Sequence, residues 1–458
     1  MNSGARSDEP SSFRDPSGFI FKYRNEYYRQ VNLSYKDNYD LLIDSGLFKE
    51  LVSRNYLINH REISGRSVGQ SAYKIIKPDQ IPFISYPFEW CFDQLKDAAL
   101  LTLEIEKTAL RFGQSLKDAS AYNIQFFDGK PIFIDTLSFE KYAESKPWVA
   151  YRQFCQHFLA PLTLMSRLDL RLNSLMQIYL DGVPLDLAAK LLPGKTRLSL
   201  GLGAHIFLHA KSQKSHAGDK SKRELKLSRS QFLGIIDSLK STVAGLRLPK
   251  QRTVWDHYYD DTNYSAAGFH DKEKIVATWI KELKPKTIWD AGANDGHFSR
   301  LGSSQNIPTL STDFDPIAVE NNYLKMKAGK DHFILPLIID LTNPSPAIGW
   351  QNTERKSFLS RGSFDLTFAL ALVHHLAIAN NLPLNKIAEL FSLQTKHLII
   401  EFVPKTDSNA QRLLQNREDI FVNYSQIEFE KEFSRYFKII KRKPLKDSRR
   451  ILYLMLKK

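Results

Sequence analysis

Apolar and polar residues follow two rhythms along this chain, and the mix changes near its middle. In the first half the rhythms are interleaved. Residues 18–31 alternate aromatic and charged side chains around Arg24-Asn25-Glu26, which predicts a hairpin. Tyr39, Leu41, Leu42, Leu47 and Leu51 recur at helical spacing and predict a helix over 34–54. Short strands are expected at 73–76 and 83–84. A long helix is expected over 88–111, with Phe92, Leu95, Ala99 and Leu103 on one face. Two apolar runs, 123–127 and 131–135, flank Asp128-Gly129, a pair suited to the left-handed positions of a two-residue hairpin turn. Residues 147–202 read as mostly helical.

The second half is more regular. After helices at about 230–246 and 270–283, strand-like runs fall at 287–290, 308–313, 333–340, 364–372, 396–403, 436–442 and 450–456. Helix-sized segments separate the first five. That alternation predicts a Rossmann-like α/β domain built on a seven-stranded, doubly wound sheet, closed by an antiparallel hairpin of the last two strands. The first half predicts a separate α+β domain. The expected division is a disordered tail at 1–17, an N-terminal domain at 18–208, a basic linker at 209–229 and a C-terminal domain at 230–458.

Composition narrows the class. At 458 residues the chain is too long for one ordinary core, and 43% hydrophobic with 25% charged residues reads as globular. No apolar run reaches the length of a membrane span, and the first ten residues lack a secretory h-region, so a cytoplasmic location is expected. Cys91 and Cys155 lie in apolar segments and are expected as buried thiols, with no metal-binding spacing. The net charge of +14 favours anionic partners only in general. The basic residues are scattered rather than arrayed with aromatics, which argues against nucleic acid.

The stretch that carries most chemistry runs from Thr287 to Arg300. A short apolar strand leads into Asp290, then a turn with Gly292, Asn294 and Gly296, then a helix start at Ser299. Strand, glycine turn and helix place a ligand at the carboxyl edge of a parallel sheet, where a Cβ on the turn would block close approach. The second strand ends at Asp313, where a carboxylate can accept two hydrogen bonds from a ribose diol. Asp315 is the neighbouring candidate, or else caps the next helix. The third strand ends at Asp340-Leu341, and the fourth runs into Val373-His374-His375.

These elements, in this order, resemble class I S-adenosylmethionine (SAM) methyltransferases across about 255–458. Within them, Asp-Ala-Gly-Ala-Asn-Asp-Gly at 290–296 and Ile400-Glu401-Phe-Val-Pro-Lys405 are similar to a nodulation-protein-like group of bacterial enzymes. The resemblance implies SAM as cofactor, with its methionine end at 292–296 and its adenine at Asp340 and Leu341. It also implies that the segment after the fourth strand faces the methyl group. A sulfonium is already activated, so the protein needs to align the acceptor and, for oxygen or nitrogen, to remove a proton. His374 and His375 are the candidate bases, with one expected to face the acceptor, and Glu401 is a candidate to bind the acceptor or orient a histidine. Tyr258, Tyr259, Tyr264 and Lys274 stand where a lid would lie. No metal is expected in this domain.

The N-terminal half holds a second pattern: Asp118, Asn123 five positions later, and Asp135 beyond the hairpin. It resembles protein and aminoglycoside kinases, in which the first Asp orients a hydroxyl while the Asn and the later Asp hold Mg²⁺ near the phosphates. The match implies a kinase-like fold and Mg-ATP. Departures are plain: Lys117 replaces the usual residue before the Asp, Asp135 is followed by Thr136-Leu137, and no glycine-rich loop stands in 18–80. Three functions are therefore in play. The first is a methyltransferase acting on an oxygen of a small metabolite or glycan. The second is a bifunctional kinase and methyltransferase, and the third is a SAM-binding scaffold without catalysis. The sequence is silent on the acceptor and the oligomeric state.

Overall fold

The computed structural model describes residues 6–64, 71–208, 226–248, 265–415 and 418–458. Two compact units are present: Met1–Gln251 with Ala347–Lys356, and Arg252–Pro346 with Ser357–Lys458. Most of the expected linker (209–225), together with Tyr258, Tyr259 and Tyr264, lies outside the described residues.

The first unit opens with an antiparallel five-stranded sheet of β1 (Ser7–Asp8), β2 (Gly18–Tyr23), β3 (Glu26–Asn32), β4 (His60–Glu62) and β5 (Ala72–Pro78), in the order β1-β2-β3-β5-β4. Within the tail expected to be disordered, Ser7 and Asp8 join this sheet by pairing with Lys22 and Phe21. The β2–β3 turn forms as expected, with Arg24 and Asn25 both at positive φ (49° and 64°). The helix expected over 34–54 is two: α1 (Lys36–Asp44) and α2 (Leu47–Ser53), broken at Gly46, whose φ is 85°. No strand forms at 83–84.

The long helix α3 (Phe92–Arg111) runs through the rest of the unit, its buried face including Leu95, Ala99 and Leu103. Strand β6 (Gln114–Leu116) pairs with β9 (Phe139–Lys141), and the hairpin β7 (Ile124–Phe127) and β8 (Lys130–Phe133) lies between them in sequence. Its turn has Asp128 at φ 49° and Gly129 at φ 70°, the two-residue turn that Asp-Gly predicts. Short helices follow, of which α4 (Ala160–Arg167) is almost wholly buried.

Helix α5 (Arg229–Gly245) belongs here rather than to the C-terminal half. Phe232, Ile236, Leu239 and Val243 are buried, and the ion pairs Lys240–Glu104 (2.6 Å) and Lys107–Asp237 (2.8 Å) tie it to α3. The boundary expected at 230 therefore falls about one helix too early. Segment 347–356, far away in sequence, also packs as part of this unit. Ile348 and Arg355 bridge each other, and Glu354 forms a bidentate pair with Arg14 (2.8 and 2.9 Å).

The second unit is a doubly wound mixed sheet. Helix α6 (Ala266–Leu283) precedes β10 (Ile288–Ala291), α7 (Ser299–Ser303), β11 (Thr309–Asp313), α8 (Pro316–Gly329) and β12 (Ile334–Ile338). Then come β13 (Phe364–Ala369), α9 (Leu384–Gln394), β14 (Thr395–Phe402), α10 (Ser408–Leu414), α11 (Gln426–Phe433), β15 (Phe437–Pro444) and β16 (Ile451–Lys457). The strand order is β12-β11-β10-β13-β14-β16-β15, with β16 antiparallel to both neighbours. All seven expected strands are present, and the parallel five run as near-continuous apolar segments because both faces are covered. Trp289 anchors one face: it is fully buried against Phe358, Phe364 and Phe391, and its indole N–H donates to Thr312 Oγ1 (2.9 Å). The strand order reverses between β10 and β13, and the carboxyl ends of the strands at such a point frame a crevice.

Candidate active site

The crevice is present as a cavity of about 380 Å³, within the range of small-molecule sites. The turn after β10 forms its floor. Gly292 N and Ala293 N both donate to Thr312 O (2.9 Å each), and Asn294 N donates to Asp313 Oδ2 (2.8 Å). These bonds clamp the turn to β11. Gly292 has φ 75°, and a Cβ there would lie 3.0 Å from the Leu372 side chain across the cavity.

Asp290, Gly292, Asn294, Asp313, Asp340 and Leu341 all line the cavity. Asp290 is buried and accepts from Ser299 Oγ (2.7 Å), and burial pushes its carboxyl up to about 7. Burial likewise raises Asp313 to about 6, opposed by the N–H groups of Asp315 and Asn294. Asp340 accepts from Thr342 N (2.8 Å) and Thr342 Oγ1 (2.7 Å), which fixes the carboxylate at the end of β12.

Two expected cofactor residues lie elsewhere. Gly296 is absent from the cavity wall: at φ 80°, the place of its missing Cβ is filled by the Asn322 amide, 2.2 Å away. Its small size serves the packing of the turn on α8. Asp315 caps α8, accepting from Ile317 N (2.8 Å), and does not reach the cavity.

The two histidines, in the helical turn that follows β13, face different ways. His375 lines the cavity, while His374 is fully buried behind it, rings 4.1 Å apart. His374 has no hydrogen-bond partner on either ring nitrogen, and burial holds its pKa well below the usual imidazole value. It is not placed to meet an acceptor. Burial, helped by Arg450, lowers His375 to about 4, so this ring is neutral at physiological pH.

Glu401 also departs from its expected part. It is wholly buried, off the cavity, and accepts from Lys272 Nζ (2.7 Å) and Ala371 N (2.8 Å), with Arg450 3.5 Å away. Arg450 in turn pairs bidentately with Asp407 (2.7 and 2.9 Å). Ala371 has φ 50°, an uncommon state for a residue with a Cβ, and the bond to Glu401 holds it there. Glu401 thus shapes the segment after β13 and touches no ligand space.

Lys272 is a wall residue that sequence reasoning missed. It lies on α6, is 2% exposed, and stands 4.7 Å from the Phe298 ring centre. Burial pulls its pKa down against the pull of Glu401. A lysine inside the apolar helical stripe of Phe269, Val276 and Trp279 was the available signal. Lys274, expected near a lid, is exposed and off the wall. Among the described residues no cluster of His, Cys, Asp or Glu is arranged to hold a metal, and no helix is long and apolar enough to cross a membrane.

No family model matches the chain. Among solved structures, magnesium protoporphyrin IX methyltransferase from Synechocystis PCC 6803 with bound SAM is 15% identical. The match covers 44% of this chain and 89% of that one, with a TM-score of 0.31. The N-methyltransferase NodS from Bradyrhizobium japonicum WM9 is 11% identical over 42% of this chain and 98% of its own, at 0.32. Scores of this size leave the fold assignment to the strand order itself. A curated relative is far closer in sequence: nodulation protein NoeA of Rhizobium meliloti (strain 1021) is 34% identical over 452 residues, covering 96% of this chain and 94% of its own. The chain belongs to the family of nodulation protein NoeA.

Proposed function

We propose that the second unit is a SAM-dependent methyltransferase acting on an oxygen of a small metabolite or glycan. One observation carries the reading: the glycine turn at the sheet's switch point shares a single cavity with Asp313 and Asp340, the carboxylates at the ends of the next two strands. In this reading the methionine part of SAM lies along Gly292–Asn294, the ribose diol bonds Asp313, and the adenine meets Asp340 and Leu341. Lys272 supplies a cation near the methionine end. The sulfonium then faces His375.

The chemistry asked of the protein is small. Alignment of acceptor oxygen, methyl carbon and sulfur supplies most of the rate, and a neutral imidazole takes the hydroxyl proton as the C–O bond forms. His375 suits that part because it lines the cavity and its ring is neutral above about pH 5, given its pKa of about 4. Activity is expected to be flat through neutral pH and to fall as the pH drops toward that value. His375→Asn is expected to lower single-turnover methyl transfer about 10²–10⁴-fold while S-adenosylhomocysteine binds as before. Single turnover with labelled SAM and panels of glycan and small-metabolite hydroxyls tests the assignment. Transfer to none of them, with SAM bound, would favour the scaffold reading. A cytoplasmic site of action follows from this cofactor as a further part of the proposal.

For the first unit we propose a phosphotransferase-type fold. The strand order β1-β2-β3-β5-β4, followed by a loop carrying Asp118 and Asn123 and a hairpin leading to Asp135, supports it. Whether such a unit transfers phosphate depends on what occupies its centre.

A further inference from the structure

Phosphotransferases of this type need three things around the nucleotide: a cation on the third sheet strand, a mobile loop before it, and an Asn and Asp free to hold Mg²⁺. The third strand here is β3, and the residue directed toward Asp135 from it is Arg29. Its Nη1 bonds Asp135 Oδ1, with both side chains about nine-tenths buried. Asp135 Oδ1 also accepts from Leu137 N (3.0 Å), and Oδ2 from Ser138 Oγ (2.7 Å). The Asn123 amide donates to the same Ser138 hydroxyl (3.3 Å), and Asp118 Oδ1 accepts from Ser120 N (2.9 Å). The guanidinium beside Asp135 keeps that carboxyl below its usual range although burial opposes this.

The loop between β1 and β2 is equally committed. Residues 9–17 contain two prolines and no glycine, so they offer no run of N–H groups for phosphates. Glu9 pairs with Lys356 (2.8 Å) and Arg14 with Glu354 (2.8 Å), both on segment 347–356. Lys117, next to Asp118, takes Ser17 Oγ (2.7 Å) and Asp15 (3.5 Å). Arg355 of the same segment stacks 4.4 Å from the centre of the Tyr122 ring, beside Asn123.

We propose that this centre is a closed, metal-free lock. Arg29 supplies the positive charge that a divalent cation supplies in a working phosphotransferase, and segment 347–356 holds the 9–17 loop shut. The unit therefore binds no Mg-nucleotide in its native state. This rests on the phosphotransferase-type reading of the first unit and is independent of methyl transfer.

The test uses the full chain, with Mn²⁺ followed by paramagnetic resonance and Mg-AMP-PNP by thermal shift. Wild type is expected to retain no Mn²⁺ and to show no nucleotide shift. Arg29→Met is expected to bind one Mn²⁺ per chain, since an uncompensated buried carboxylate recruits a cation, and Arg29→Met/Asp135→Asn to lose it again. Wild-type binding of Mn²⁺ or Mg-AMP-PNP that Asp135→Asn abolishes would overturn the proposal, as would a folded Arg29→Met that binds none. Should Arg29→Met not fold, the wild-type arm decides alone. Arg14→Ala, with its fold checked by circular dichroism, tests the strap. Amide exchange over residues 9–17 is expected to rise several-fold, and unchanged exchange would remove segment 347–356 from the lock.

Discussion

Replacing Gly292 by arginine is expected to weaken S-adenosylhomocysteine binding about a hundredfold or more, with the melting of the first unit unchanged. Two effects follow. The backbone at 292 sits at φ 75°, where any side chain costs about 1–3 kcal/mol, and the new Cβ would meet Leu372 at 3.0 Å. The remainder of the arginine then lies in the cavity where the methionine part of the ligand is proposed to sit. Occupancy of the ligand space by the arginine is what is expected to exceed the roughly 2.7 kcal/mol that a hundredfold requires, while the backbone cost lowers the stability of the second unit. Gly292→Ala separates the effects, because it carries the backbone cost and little of the occupancy. It is expected to melt lower than wild type and to bind far more tightly than the arginine variant. Equal binding by the arginine variant and wild type in calorimetry would place the ligand elsewhere.

Lys272→Met should give the largest loss of stability. The Lys272–Glu401 pair is almost wholly buried (3% and 0% side-chain exposure), so removing the ammonium leaves the Glu401 carboxylate in a low-dielectric interior with Arg450, 3.5 Å away, as its remaining cation. Breaking such a pair costs about 3–5 kcal/mol, or roughly 10 °C in the melting of a unit of this size. The other bond to the same Glu401 oxygen, from Ala371 N, would loosen with it, and with that the segment that carries His375. The double variant Lys272→Met/Glu401→Gln removes both charges and keeps a hydrogen-bond acceptor for Ala371 N. It is expected to recover more than half of the loss, the non-additivity that coupled neighbours show. Additive losses, or a single variant as stable as wild type by denaturant melting, would contradict the coupling.

Much of the second unit was legible because its information is local. Seven runs, the first five with helix-sized gaps and the last two as a hairpin, define the strands, and strand-end carboxylates at Asp290, Asp313 and Asp340 fall on the carboxyl edge whatever their rotamers. Side-chain direction is not local. His374 is next in sequence to His375 on the cavity wall, and Glu401 stands at the carboxyl end of β14, yet the turn after β13 and β14 aim them into the interior. Gly296 and Asp315 obey ordinary rules, close approach and helix capping, that a motif reading confuses with ligand contact. Lys272 escaped because its partner is 129 positions away. Two boundary differences share that cause. Helix α5 carries an amphipathic face that gives no hint of which unit covers it. The 347–356 segment lies between two strands of one sheet, and its polar contacts join it to the other unit. In the first unit, the Asp128-Gly129 hairpin was readable from two residues, whereas Arg29 became meaningful only when β3 was seen to bring it to Asp135.

Isothermal titration of the full-length wild-type chain with S-adenosylhomocysteine tests the central claim most directly. A single saturable site per chain is expected, strongly weakened by Gly292→Arg and unaffected by His375→Asn. No detectable binding of either S-adenosylhomocysteine or SAM to folded wild-type protein would contradict it.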